Sequence, residues 1–122
     1  MGVEAWVDAP IRTYSTGMRK KIALLASLIP DPTLWVLDEP FAALDEAGAS
    51  FVENEIARVR ANGGLVFFTA HDADLAARLA DRVGLLDGGR RVFEGPVASF
   101  RATRHVLPGE GAAVAPAECS KG

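Results

Sequence analysis

Two adjacent carboxylates, Asp38 and Glu39, end the apolar run Leu34-Trp35-Val36-Leu37 and are followed at once by Pro40. An acid pair placed this way suggests chemistry more than packing. One carboxylate holds a hard cation such as magnesium while the other orients or deprotonates a water. Strand side chains alternate, so neighbouring acids are expected to point apart and divide those two tasks. His71-Asp72 follows a second apolar run, Leu65 to Thr69, which sets an imidazole at the same edge as the acids. A third feature lies upstream. Tyr14-Ser15-Thr16-Gly17 places small hydroxylated residues and a glycine directly before a helical run, and Arg19, Lys20 and Lys21 follow in its first turn. The helix dipole is already positive there, so each cation costs roughly a few tenths of a kcal/mol unless an anion is present. Hydroxyls, unpaired backbone N–H groups and cations at a helix start together describe a phosphate-binding surface.

These groups need elements to position them. Leu34 to Leu37 shows no polar alternation, which predicts a short strand buried on both faces of a parallel sheet and stopped by Pro40. Its carboxyl end, with Asp38 and Glu39, is where ligands bind in such sheets. The run Ile22 to Ile29 is apolar on nearly every side and predicts a mostly buried helix, N-capped by Ser15 or Thr16 and closed by Pro30 and Pro32. A second helix is expected over Glu46 to Ala61, with Phe51, Val52, Ile56 and Val59 facing the core and Asn62-Gly63-Gly64 ending it. Leu65 to Thr69 predicts a second buried strand, and Asp72 caps a helix across Ala73 to Ala80. Val83 to Leu86 and Arg91 to Phe93 predict a hairpin turning at Asp87-Gly88-Gly89-Arg90. Asp8-Ala9-Pro10 breaks any helix begun at Val3. After Phe100 the texture changes, and residues 101–122 are expected to form a flexible tail in which His105 and Cys119 carry no function.

Composition narrows the classes. The chain of 122 residues, 49% hydrophobic and 24% charged, has room for one domain with a real core. A net charge of -3 leaves no electrostatic footprint for nucleic acid, so none is expected as a partner. Cys119 is the single cysteine, which excludes an internal disulfide or a cysteine-rich metal centre and fits a reducing compartment. The start Met1-Gly2-Val3-Glu4-Ala5-Trp6 has no signal pattern, and no run approaches the roughly 20 apolar residues of a membrane span, so a soluble chain is expected.

As a set, these pieces resemble the C-terminal half of an ABC-transporter ATPase subunit over roughly residues 2 to 98. Tyr14-Ser15-Thr16-Gly17-Met18 is similar to the signature motif usually written LSGGQ. Leu34 to Glu39 resembles the Walker B strand with its following glutamate, Ala42-Ala43-Leu44-Asp45 the D-loop, and His71 the switch histidine. The separations Ser15 to Asp38, Asp38 to Asp45 and Asp38 to His71 are all family-like. The resemblance implies an α/β, partial P-loop NTPase fold: a parallel sheet with flanking helices plus a C-terminal β-hairpin, with residues 1–100 as the ATPase part. It implies ATP and Mg²⁺ as cofactors, with Asp38 on the metal through water and Glu39 as general base. His71 would bond the γ-phosphate and the attacking water. Ser15, Thr16 and Gly17 would contact ATP held by a second ATPase subunit, and Asp45 would link the two sites. Transmembrane permease subunits would hold the protein on the cytoplasmic face of the membrane, where it would couple hydrolysis to transport, with export favoured because YSxGM forms occur among export-type subunits.

The departures from the family pattern carry expectations of their own. Thr16 replaces a glycine, Met18 a glutamine and Lys21 an arginine, and Ala26 stands where arginine is frequent. No G-x-x-x-x-G-K-[ST] string occurs, so the loop that grips the β- and γ-phosphates is missing. The chain is therefore expected to be part of a longer ATPase domain, inactive alone, with a gap in its sheet between the strands at 65 and 83. Two other functions stay open: a soluble ABC ATPase without a membrane partner, and an inactive module that offers its signature face to a complete ATPase.

Overall fold

The computed structural model describes residues 15–107 and 112–114; the expectations on residues 1–13 and on Cys119 lie outside them. Helix α1, Thr16–Leu28, begins where Ser15 accepts the Met18 N–H in its side chain. Strand β1, Leu34–Leu37, stops before Asp38. Helix α2, Glu46–Ala61, starts at the Asp45 cap and ends at Asn62, after which Gly63 takes φ 81°, a left-handed value that glycine reaches without a side-chain penalty. Strand β2, Leu65–Ala70, leads to Asp72, whose carboxylate accepts from Asp74 and Leu75 and opens helix α3, Ala73–Leu79. Strands β3, Arg82–Asp87, and β4, Arg90–Pro96, form the hairpin. Helix α4, Val97–Thr103, follows, with a 3₁₀ turn over Arg104–Val106 and strand β5 at Ala112–Val114.

The sheet has the order β1-β2-β5-β3-β4. β1 pairs parallel with β2, placing Leu34 opposite Leu65 and Leu37 opposite Phe68. β5 runs antiparallel to both β2 and β3, so β2 and β3 share one direction. The mixed α/β architecture agrees with the expected class, but β5 makes the sheet mixed where a parallel one was expected. It also lies in the expected gap between β2 and β3. A three-residue strand gives Phe68 to Ala70 and Gly84 to Leu85 backbone neighbours that they would otherwise lack.

Register sorts the strand residues onto two faces. Trp35, Leu37, Val66, Phe68, Ala70, Val83 and Leu85 are buried, and they pack with Leu24 of α1, Val52, Ile56 and Val59 of α2, three alanines of α3 and Phe100 of α4. The other face is open at β1, where Leu34 and Val36 are 53% and 64% exposed. Double burial of β1, expected from its unbroken apolar run, therefore does not hold: apolar residues on both faces met helices on only one. The same one-sidedness corrects α1. Its buried residues are Lys21 and Leu24, while Leu25 and Ile29 are exposed.

Directed bonds fix the helices on their face. The Trp35 indole N–H donates to Ser27 Oγ (2.8 Å), and that hydroxyl donates to the Leu24 carbonyl (2.7 Å), fastening α1 to β1. The Arg78 guanidinium forks onto Glu53 at 2.7 and 3.0 Å, tying α3 to α2 and holding the Glu53 carboxyl below its usual range. Arg101 donates to the Ala77 carbonyl (2.8 Å), so α4 closes against α3 and residues 101–103 are helical where a flexible tail was expected from Arg101 onward. A short helix anchored by one buried aromatic, Phe100, leaves too little periodicity to read.

Proline removes a ladder donor, and β5 has neighbours on both sides. In an Ala113→Pro chain, hydrogen exchange at Phe68 to Ala70 and at Gly84 and Leu85 should accelerate by about tenfold or more, the scale of losing a net hydrogen bond or two, while α2 amides keep their protection. Unchanged protection in β2 and β3 would show that β5 does not hold them.

Candidate functional site

Parallel pairing of β1 and β2 brings their carboxyl ends to one edge, so Asp38-Glu39 and His71 meet there. Glu39 leaves extended backbone altogether, with φ 45°, and Pro40 behind it is fully buried. A left-handed glutamate is strained and persists only where its surroundings over-determine it. Those surroundings are visible. The Glu39 N–H donates to Thr69 Oγ1 (2.9 Å), its carbonyl accepts from the Lys20 ammonium and from Ala42 N–H (3.1 Å), and its Oε1 lies 2.5 Å from His71 Nε2. Strand alternation therefore does not continue through Glu39. Asp38, exposed beside it, accepts from the Thr69 hydroxyl at Oδ1 (2.6 Å).

Glu39, Phe41, Ala42, Thr69, His71 and Leu75 line a cavity of about 180 Å³, and the Phe41 ring packs edge-to-face on Phe68 of the core. The His71 imidazole is 80% exposed and the Glu39 side chain 41%, so water reaches both. A cation at Asp38 would have to draw on donors other than neighbouring side chains. Among the described residues no group of His, Cys, Asp and Glu side chains could by itself hold a metal ion. Magnesium does not need one, since it keeps several waters and binds through one or two carboxylates plus substrate phosphates.

The other predicted site residues gather in a second cleft of about 260 Å³, lined by Ser15, Gly17, Met18, Lys21, Ala43 and Asp45. Thr16 is the exposed first residue of α1 beside it. The predicted residues thus form two groups, not one: Asp38, Glu39 and His71 in the first, Ser15, Gly17 and Asp45 in the second. Two lysines of α1 join them. Lys20 donates to the carbonyls of Glu39 and Ala42 (3.0 Å to the latter), and Lys21, 8% exposed, lies 3.0 Å from both Asp45 carboxylate oxygens. The Lys21 bond, followed by the Gly48 N–H on Oδ1 (2.9 Å), holds the Asp45 carboxyl below its ordinary value. At Gly17 the backbone comes so close to the loop that an added Cβ would stand 2.9 Å from the Ala43 carbonyl oxygen.

Sequence reasoning missed Thr69 and the roles of the two lysines. No sequence signal marks Thr69: its place, one residue beyond the partner of Leu37 and on the face of β2 away from the helices, comes from the strand register. The sequence presents Lys20 and Lys21 as charge at a helix start, whereas both make intramolecular bonds.

No family model matches the sequence. Curated proteins do match. Nod factor export ATP-binding protein I of Ralstonia nicotianae is 34% identical over 93 residues, 76% of this chain and 29% of that protein. The cytochrome c biogenesis ATP-binding export protein CcmA of Pseudomonas syringae is 41% identical over 71 residues, 58% of this chain and 34% of the relative. The cobalt import ATP-binding protein CbiO of Rhodobacter capsulatus is 37% identical over 100 residues, covering 82% of this chain and 36% of that protein. The chain spans about a third of the length of these relatives. Among the described residues no helix is long and apolar enough to cross a membrane.

Two outcomes follow from the second cleft. Because the folded Asp45 pKa lies below its ordinary 3.8, its charge contributes stability above that pH, and the contribution is lost as pH falls through the folded value. Asn caps a helix as well as Asp, so Asp45→Asn isolates the charge. Urea unfolding should show the variant less stable at neutral pH, with the difference narrowing below about pH 4; a constant difference would assign no role to the Lys21 pair. Gly17→Ala must push Ala43 aside, and is expected to shift the amide resonances of Ala42 to Leu44 and lower stability by about 1 to 3 kcal/mol, the range for overpacking.

Proposed function

We propose that this chain, whose relatives are ATP-binding subunits of ABC transporters and which matches part of their ATPase domain, supplies the water-activating side of an ATP-hydrolysing site and a second, phosphate-facing surface. The observation that carries the reading is the convergence of Glu39 and His71, 2.5 Å apart, with Asp38 at one sheet edge.

Phosphoryl transfer to water needs little covalent work from a protein; it needs a positioned nucleophile and neutralised charge around one phosphate. Glu39 would meet the first requirement. Its Oε1 is held by His71, its backbone is clamped at both N–H and carbonyl, and its second oxygen is left to orient a water and take its proton. His71, on an exposed edge, donates its Nε2–H to Glu39 and steadies the base. Asp38 would hold Mg²⁺ by the oxygen that Thr69 leaves, and the cation would spread charge over the phosphates. Lys20 and Lys21 spend their charge on carbonyls and on Asp45, so the α1 surface meets a phosphate mainly through Ser15, Thr16, the Gly17 backbone and the helix dipole. Because the two clefts are separate, the surface at Ser15 serves a nucleotide other than the one at Glu39, as a pair of ATPase subunits facing each other would provide.

The remaining parts of the reading rest on the relatives' names. ATP hydrolysis by the complete protein would drive transport across a membrane through permease partners, with the ATPase on the cytoplasmic side. The relatives include export and import proteins; the Tyr14-Ser15-Thr16-Gly17-Met18 form favours export.

The isolated chain, without a G-x-x-x-x-G-K-[ST] loop, should hydrolyse no ATP above a Glu39→Gln control. When a polypeptide carrying that loop completes the site, Glu39→Gln should keep ATP binding and lower turnover by roughly 10²-fold or more. Steady-state ATPase assays decide it: unchanged turnover would place water activation elsewhere.

A further inference from the structure

We infer that Thr69 is the positioning residue that couples the two acids, using one hydroxyl to fix both the metal-facing carboxylate and the backbone of the base; the inference rests on the hydrolytic reading of Asp38 and Glu39. A threonine hydroxyl has one proton and accepts at its lone pairs. At Thr69 the Glu39 N–H can only donate, so Oγ1 accepts there (2.9 Å), and its single proton is directed to Asp38 Oδ1 (2.6 Å). Nothing in this arrangement is free to rotate.

Two consequences follow for the site. Oδ1 of Asp38 is taken, so its carboxylate presents Oδ2 outward in one orientation. Glu39, at φ 45°, has its strained backbone pinned from the sheet side by Thr69 and from the helix side by Lys20, and only then does Oε1 reach His71. β2 thus holds both acids that follow β1 through one side chain. A residue with a methyl in place of the hydroxyl fits the same volume and does neither task.

Thr69→Val and Thr69→Ser separate shape from hydrogen bonding. By hydrogen exchange on this chain, the Glu39 amide should exchange roughly five- to tenfold faster in the valine variant and at the unmodified rate in the serine variant. Val52 and Ile56 amides in α2 report that each variant is folded. In the unmodified chain the Thr69 hydroxyl proton should itself give a slowly exchanging resonance with a cross-peak to the Glu39 amide, a reading that needs no variant. In the completed ATPase, the valine variant should lose about tenfold in kcat with KM for ATP nearly unchanged, and serine should restore it. A Glu39 amide as protected in valine as in threonine overturns the inference, as does a fast-exchanging Thr69 hydroxyl. So does full kcat in Thr69→Val where Glu39→Gln is inactive. If Glu39→Gln itself keeps full turnover, the hydrolytic reading fails instead, and the exchange data still decide what Thr69 holds.

Discussion

The parallel register that sets Leu37 opposite Phe68 governs the rest of the structure. Because β1 and β2 run the same way, Asp38 and Glu39 leave β1 beside Thr69 and Ala70, the last residues of β2, with His71 just beyond them. A slip of one residue would turn Thr69 to the helix face and carry the buried Val66 and Phe68 to the open one. The register is therefore held by the core. Val66 and Phe68 are each 2% exposed, so the packing under the sheet and the chemistry at its end are one constraint.

Strain at Glu39 is the second half of that constraint. A left-handed glutamate between a strand and a buried proline is unfavourable by itself, and three elements contribute bonds that hold it: β2 through Thr69, α1 through Lys20, and the segment after β2 through His71. The elements that hold Glu39 also join the two clefts, since α1 carries Ser15 and Gly17 at its start and Lys20 and Lys21 one turn later. A displacement at the Ser15 cleft is thus mechanically connected to the carbonyl of the proposed base.

Much of this was legible in the sequence. The bounds of α2 coincide with its capping aspartate and closing Asn62-Gly63-Gly64, and the β3–β4 hairpin follows from Gly88 and Gly89 at positive φ. These are local signals, complete within a few residues. Burial was less legible. Leu34 and Val36 have the composition of core residues, but apolarity records what a face would prefer, not whether a helix is there to cover it. β5 was hidden for a related reason: three residues of small side chains take their strand geometry from two neighbours that are distant in sequence. In the site, the edge shared by Asp38, Glu39 and His71 was readable from strand ends, whereas the Thr69 hydroxyl was not, because a threonine in a strand is ordinary until its register partner is known.

The central claim is that this chain offers one metal-facing carboxylate to a nucleotide whose phosphates are gripped by residues it does not contain. Isothermal titration with ATP and Mg²⁺ tests that claim most directly, on the chain alone, on the chain combined with a polypeptide carrying a G-x-x-x-x-G-K-[ST] loop, and on the same combination with Asp38→Asn. The account predicts no binding by the chain alone, magnesium-dependent binding by the combination, and loss of the magnesium dependence in the variant. Tight Mg²⁺-ATP binding by the chain alone, or magnesium dependence undiminished in Asp38→Asn, would contradict it.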